Sequence, residues 1–299
     1  MTKIPYAKPP LSYEEQLQQL KERGMTIRDD GKAIHLLTNV SYYRLSGYWF
    51  PLLADKQRHI FKPEAHFETA FKLYCFDREL RRIVISELEK IEVSIRARMI
   101  DILSRRHGCF WFEDAQLFRN PAKHADTLSK IGEQYERSDE EFINAFRNKY
   151  SNPLPPAWMT MEITSFGTLS ILYKNLKPGR EKREIAHHFG LADSVLETWL
   201  HSIVYLRNVC AHHTRLWNRA MSIRPQIPIH PRNPWLTNTD IRNNRTYFML
   251  CMIRYLLQTV NPNTTFNNRL RDLLAQYPNV DIRAMDFPAD WEDEPLWQE

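Results

Sequence analysis

The sequence predicts an all-α protein, and three observations carry that prediction. Apolar residues recur at spacings of three and four over long stretches, the signature of amphipathic helices. Gly is scarce, with 8 in 299 residues, which argues for long helices and against Gly-rich phosphate loops. No segment shows convincing strand alternation, and no internal repeat is evident. Apolar residues make up 43% of the chain, enough for a buried core.

The elements follow in order. Residues 1–12 read as an extended lead containing Pro. Tyr13 to Glu22 is a short amphipathic helix, with Ser12 as its N-cap and Gly24 just past its end. A second short helix covers Asp30 to Leu37. Val40 to Leu53 is rich in aromatics that are expected in the core. Leu73 to Arg105 is the clearest helix: Leu80, Val84, Leu88, Ile91, Ile95, Met99 and Ile102 form one apolar stripe, and Gly108 ends it. Pro121–Arg137 and Glu140–Tyr150 follow. Trp158–Leu176 reads as a helix interrupted at Gly167. Next come Lys182–His188, Leu191–Ala220, Thr246–Val260 and Phe266–Gln276, with a Pro-rich loop from Pro225 to Pro234.

Several function classes are disfavoured. No stretch approaches 18 uninterrupted apolar residues, so no membrane span is expected. The N-terminus lacks an apolar signal region, so the expected location is the cytoplasm. Cys75, Cys109, Cys210 and Cys251 lie far apart and read as free thiols. No HExxH, phosphate-loop or dinucleotide glycine pattern appears.

Net charge is +5, and its distribution says more than its size. Between His201 and Arg245 there are seven Arg, no Lys, no Glu and one Asp. Arg suits bidentate phosphate contacts. The tail after Met285 is acidic and reads as a solubilising end, or else as a cover for the basic stretch.

Arg followed five residues later by His occurs three times: Arg119 with His124, Arg183 with His188, and Arg207 with His212. With 27 Arg and 11 His, about one match is expected by chance, so the spacing alone identifies nothing. Pro121 spoils the first copy, and the second places its histidines at a helix C-terminus. The third lies on a helix with a good apolar face. That helix runs on to Ala220, so Asn208, His212, Arg215 and Arg219 form one polar row at i, i+4, i+7 and i+11.

Those residue types suit RNA cleavage without a metal or other cofactor. Histidine can take the 2′-hydroxyl proton or protonate the leaving 5′-oxygen. Arg can hold the negative charge that grows on phosphorus. Asn can orient the ring or the phosphate. The products would be a 2′,3′-cyclic phosphate and a 5′-hydroxyl. Five residues, however, place Arg207 and His212 about 140° apart on a helix. One histidine also struggles to act as both acid and base. Two chains meeting across a two-fold axis would ease both problems. The bland reading is a helical histidine with a structural role. Cys210, His212 and His213 as soft-metal ligands lack an evident fourth partner.

The block Leu206–Arg219, LRNVCAHHTRLWNR, resembles the signature of Abi-like proteins of the AbiD/AbiF type, within the HEPN superfamily. Tyr42–Pro51, Phe76–Arg96 and Pro155–Leu176 resemble the same family in the same order. The resemblance implies a HEPN-type helical bundle with N- and C-terminal helical elaborations: residues 1–72, a core over 73–260, and a helix with an acidic tail over 261–299. It implies a homodimeric, metal-independent endoribonuclease toxin of anti-phage defence with R-N-x-x-x-H at the dimer interface. Arg207, Asn208 and His212 would be catalytic. His213, Arg215, Asn218 and Arg219 would contact RNA or back the site. The expected partners are RNA substrate and a structured noncoding RNA antitoxin; no membrane partner is expected. The long helix adds Arg78, Glu89, Glu92 and Arg96, which either orient the motif or form surface ion pairs. The alternative is a non-catalytic RNA-binding HEPN module.

Overall fold

A computed structural model describes residues 5–238 and 240–298. Among them are twelve α-helices and one two-stranded hairpin, so the chain is all-α as expected. It divides into two compact units: Met1–Leu80 with Leu273–Val280, and Arg81–Asp272 with Asp281–Glu299.

The first unit begins with α1 (Tyr13–Glu22). Ser12 accepts from the Glu15 N–H while the Glu15 carboxylate accepts from the Ser12 N–H, a reciprocal capping box. α2 (Asp30–Val40) and α3 (Tyr42–Trp49) follow. The expectation of no strand fails locally: β1 (Leu53–Asp55) pairs antiparallel with β2 (Ile60–Phe61). Too short to show alternation, these strands carry no sequence signal. The aromatic block is divided. Tyr48 and Trp49 are buried, Tyr43 is 89% exposed and Phe50 is exposed. Tyr48 donates its hydroxyl hydrogen to Asp77 at 2.6 Å, satisfying a buried carboxylate.

α4 (Phe67–His107) has 41 residues, about 60 Å at 1.5 Å per residue. Every residue of the expected stripe, from Leu80 to Ile102, is essentially buried.

The second unit contains α5 (Pro121–Glu136), α6 (Glu141–Lys149), α7 (Ala157–Ile163), α8 (Phe166–Asn175), α9 (Arg180–His188), α10 (Asp193–Ala211), α11 (Thr246–Val260) and most of α12 (Phe266–Gln276). α8 packs against both α5 and α10, and α10 also packs against α9 and α11. α11 is apolar nearly all round and correspondingly buried. The break between α7 and α8 falls at Thr164 and Ser165 rather than Gly167. Ser165 caps α8 by accepting from the Thr168 N–H at 3.2 Å, and Gly167 lies inside the first turn. A serine hydroxyl offers the backbone an alternative to continuing the helix.

The tail is not a loose solubilising end. Phe287, Trp291, Leu296 and Trp297 are buried. Buried Glu294 accepts from the Thr237 hydroxyl at 2.8 Å and the Asn238 N–H at 3.1 Å. Asp286 pairs with Arg242, so one acid of the tail takes one guanidinium of the Arg-rich stretch. Among the described residues, no helix is long and apolar enough to cross a membrane.

Candidate active site at the end of α10

α10 ends at Ala211, so the expected helix to Ala220 is corrected. His212 is the C-cap residue. The His213 N–H donates to the Cys210 carbonyl at 3.1 Å and the Thr214 N–H to the Val209 carbonyl at 3.0 Å. This 5→2 and 6→1 pair is a Schellman motif. α9 ends in the same motif: the Gly190 N–H donates to His187 and the Leu191 N–H to Ala186, with Gly190 at φ +71. In α10 the equivalent left-handed position holds His213, at φ +55. Histidine tolerates that region better than most residues but at a cost that glycine avoids. The sequence from 191 to 224 offers no Gly to mark the stop, and Leu216 and Trp217 prolong the apolar spacing.

With the helix stopped, the expected row of Asn208, His212, Arg215 and Arg219 does not exist. The helix spacing instead aligns His201, Tyr205, Asn208 and His212 at i, i+4, i+7 and i+11, within an arc of about 60°. His201, Asn208 and His212 are exposed and Tyr205 is half-buried. Burial pushes the Tyr205 hydroxyl up, but hydrogen bonds from Ser222 and Arg219 outweigh it and hold the group below its ordinary value. Arg219 donates to the Tyr205 hydroxyl through Nη2 at 2.9 Å and Nε at 3.3 Å, and its guanidinium lies 5.7 Å from the ring centroid. The chain reverses after Thr214 and returns Arg219 to the face that helix continuation would have given it.

Arg207, Asn208 and His212 are all solvent-exposed. Arg207 Nη1 lies 3.5 Å from Asn208 Oδ1, a contact at the outer limit of hydrogen bonding. His212 makes no side-chain hydrogen bond among the described residues, so Asn208 does not fix its ring. The site presents an imidazole, an amide and a guanidinium to solvent.

The next residues hold the turn. Leu216 and Trp217 are buried. The Leu216 carbonyl accepts from the Thr246 hydroxyl at 3.0 Å, and Trp217 donates to the Asp281 carbonyl at 3.4 Å. Asn218, at φ +52, accepts from Arg245 at 2.7 Å. Its side chain braces the segment against the start of α11. Arg215 is partly buried, and its carbonyl accepts from Arg219.

The supporting residues of α4 divide by role. Arg96 is buried, pairs with Glu92 at 2.7 Å and donates to the Met161 carbonyl at the end of α7. These two form a structural brace. Arg78 pairs with Glu79 within the first unit. Glu89 is exposed and lines a shallow groove with Val93 and Val260. Of the other two Arg–His copies, the Arg119–His124 copy is structural, while His188 is exposed. Arg119 pairs with Glu197, while His124 is buried, lies 2.7 Å from the Phe112 carbonyl and stacks on Phe118. His188 closes α9. Among the described residues, no three His, Cys, Asp or Glu side chains form a cluster that could hold a metal ion.

Fold and site together define an all-α protein with a solvent-open R-N-x-x-x-H turn at a helix end. The family model for Abi-like proteins matches residues 35–218, ending on the turn just described. The chain belongs to the Abi-like protein family, which implies a part in abortive-infection defence. Comparisons with curated proteins and with solved structures return no match.

Proposed function

We propose that this protein is a metal-independent endoribonuclease of the HEPN type. It acts as a cytoplasmic homodimeric toxin and is restrained by a structured noncoding RNA. One observation carries the reading: Arg207, Asn208 and His212 stand exposed on the last turn of α10, with His212 free of any side-chain partner among the described residues. A structural histidine would be buried and bonded, as His124 is. The left-handed His213 at a position suited to glycine adds to it, because backbone strain collects at functional sites.

In this mechanism His212 moves the proton at the 2′-hydroxyl or at the 5′-oxygen. Arg207 holds the phosphate charge, and Asn208 orients it. Arg207 leaves the helix on a different side from His212, so two chains meeting at α10 would supply two histidines and two guanidiniums around one phosphate.

Purified protein, a panel of single-stranded RNAs and EDTA test the proposal. Cleavage is expected to survive EDTA and to leave 2′,3′-cyclic phosphates. It should fall by about a hundredfold or more in His212→Ala, the range for losing a proton-transfer group, and in Arg207→Ala, the range for losing a group that stabilises transition-state charge. RNA binding without cleavage across the whole panel would instead make the protein a binding module. A monomeric wild type with full activity would remove the two-chain site.

A further inference from the structure

We infer that the cleft between α5, α8 and the middle of α10 is a binding subsite for the sugar–phosphate backbone of single-stranded RNA, feeding the strand toward His212. The inference rests on the ribonuclease reading of that turn and adds the route by which substrate reaches it.

The cleft has a volume of about 580 Å³ and includes Arg119, Lys123, Asp126, Lys130, Lys174 and His201 in its lining. Lys123, Asp126 and Lys130 fall on one face of α5, at i, i+3 and i+7. Lys174 projects from α8 and His201 from α10. Four cations therefore converge against one carboxylate. Arg119 is already paired with Glu197, which also takes Lys182. The three lysines are exposed and make no ion pair among the described residues. Like charges gathered without partners raise the local potential and draw in a polyanion. The cleft's field is felt at His201, whose imidazole is held below its ordinary value by partial burial and then by the Lys174 charge.

The chemistry favours backbone over base. The lining offers no Trp, Tyr or Phe on which bases could stack. Lysines and short polar side chains contact phosphates and sugars without reading sequence.

Position supplies the link to the site. His201 is both a wall of the cleft and the first member of the row that ends at His212. Eleven residues of helix separate them, about 16 Å. At the stacked spacing of about 3.4 Å per phosphate, that is about five nucleotides. A strand seated among the lysines can thus follow α10 past Tyr205 and Asn208 to the motif turn.

The full-length protein is titrated with a non-cleavable 12-mer, a fluorescent 2′-O-methyl RNA, and binding is read by anisotropy. The triple variant Lys123→Ala, Lys130→Ala, Lys174→Ala should bind at least tenfold more weakly at moderate salt. Its slope of log affinity against log salt should be shallower by about 2, the expectation for three lost phosphate contacts on a single strand. Asp126→Asn should tighten binding, a gain that misfolding cannot produce. A three-nucleotide RNA should lose most of the affinity. Unchanged 12-mer binding in the triple variant would overturn the inference, and the ribonuclease reading would stand if that variant still cleaved RNA. A mononucleotide that binds as tightly as the 12-mer would also overturn it, by making the cleft a small-ligand site. If wild type binds through the lysines yet never cleaves, the cleft stands and the ribonuclease reading fails.

Discussion

His213 closes the Schellman turn of α10 in a left-handed conformation, where α9 uses Gly190. Glycine meets no Cβ clash there, and a β-branched residue meets the worst. The expected order of stability is therefore His213→Gly at or above wild type, and His213→Val below it by about 1–2 kcal/mol, read by urea unfolding. A valine variant as stable as wild type would show that the left-handed turn is not kept. If His213 also contacts RNA, the glycine variant should lose activity while keeping stability, separating the two roles. Glu197 offers a second residue-scale test. Its carboxyl is pushed up by burial, but hydrogen bonds and charges from Lys182 and Arg119 outweigh this and hold it below the ordinary range. A depressed carboxylate contributes stability that is present above the unfolded-state value of about 4.3 and is lost as pH falls through the folded-state value. Wild type should thus lose stability in acid more steeply than Glu197→Gln. At pH 7 the variant should be less stable by about 2 kcal/mol. That is below the 3–5 kcal/mol typical of a fully buried pair because Arg119 is substantially exposed. Equal acid slopes in the two proteins would remove the pair as a source of pH dependence.

At the scale of elements, the segment after α10 decides the shape of the site. Trp217 is 4% exposed, and its indole bonds to the Asp281 carbonyl. Trp217→Ala should cost about 3–5 kcal/mol, the range for a truncated buried tryptophan, measured by thermal or denaturant unfolding. A cost under 1 kcal/mol would mean that the turn is not anchored by the core. The same segment marks where sequence reasoning stops. α1, α11 and α12 were legible to their end residues: in α1 a capping signal and 3.6-residue periodicity agree, and in α11 and α12 the apolar pattern alone set the limits. The buried stripe of α4 was legible for the same reason. Among the site residues, the sequence singled out Arg207, Asn208 and His212 and expected an angular offset between Arg207 and His212. It placed Arg215 and Arg219 in a helical row that does not form. Leu216 and Trp217 continue the helical spacing yet are buried by a loop, since burial does not record which backbone delivers it. His213 gives no turn signal of the kind Gly gives. The lysines of α5 and α8 escaped notice because their convergence is tertiary, and His201 and Tyr205 because the row they share with Asn208 and His212 was read forward toward Arg219 instead of back along α10. Lys123 and Lys174 are far apart in sequence and meet only because α8 packs on α5.

For the molecule as a whole, the C-terminal tail is the clearest case of charge concealing structure. Its acidic residues suggested a solvated end. Yet Phe287, Trp291, Leu296 and Trp297 interleave with them and are buried, and Trp291, Trp297, Tyr247 and Phe266 form a connected ring cluster. Burying a large apolar side chain contributes about 1.5–3 kcal/mol. Four of them approach the whole stability of an ordinary domain, about 5–15 kcal/mol. A chain ending at Met285 should therefore fail to hold its second unit folded, seen as loss of the cooperative unfolding transition and as aggregation. Neutralising the exposed acids instead, by Asp290→Asn, Glu292→Gln and Asp293→Asn, should leave the melting temperature within a few degrees. Among the described residues only Glu292 of these forms an ion pair, with Arg271 at the surface, and such pairs are worth little. The two outcomes separate a structural tail from a solubilising one. If the shortened chain melts like wild type and the neutralised one precipitates, charge rather than burial is what the tail provides.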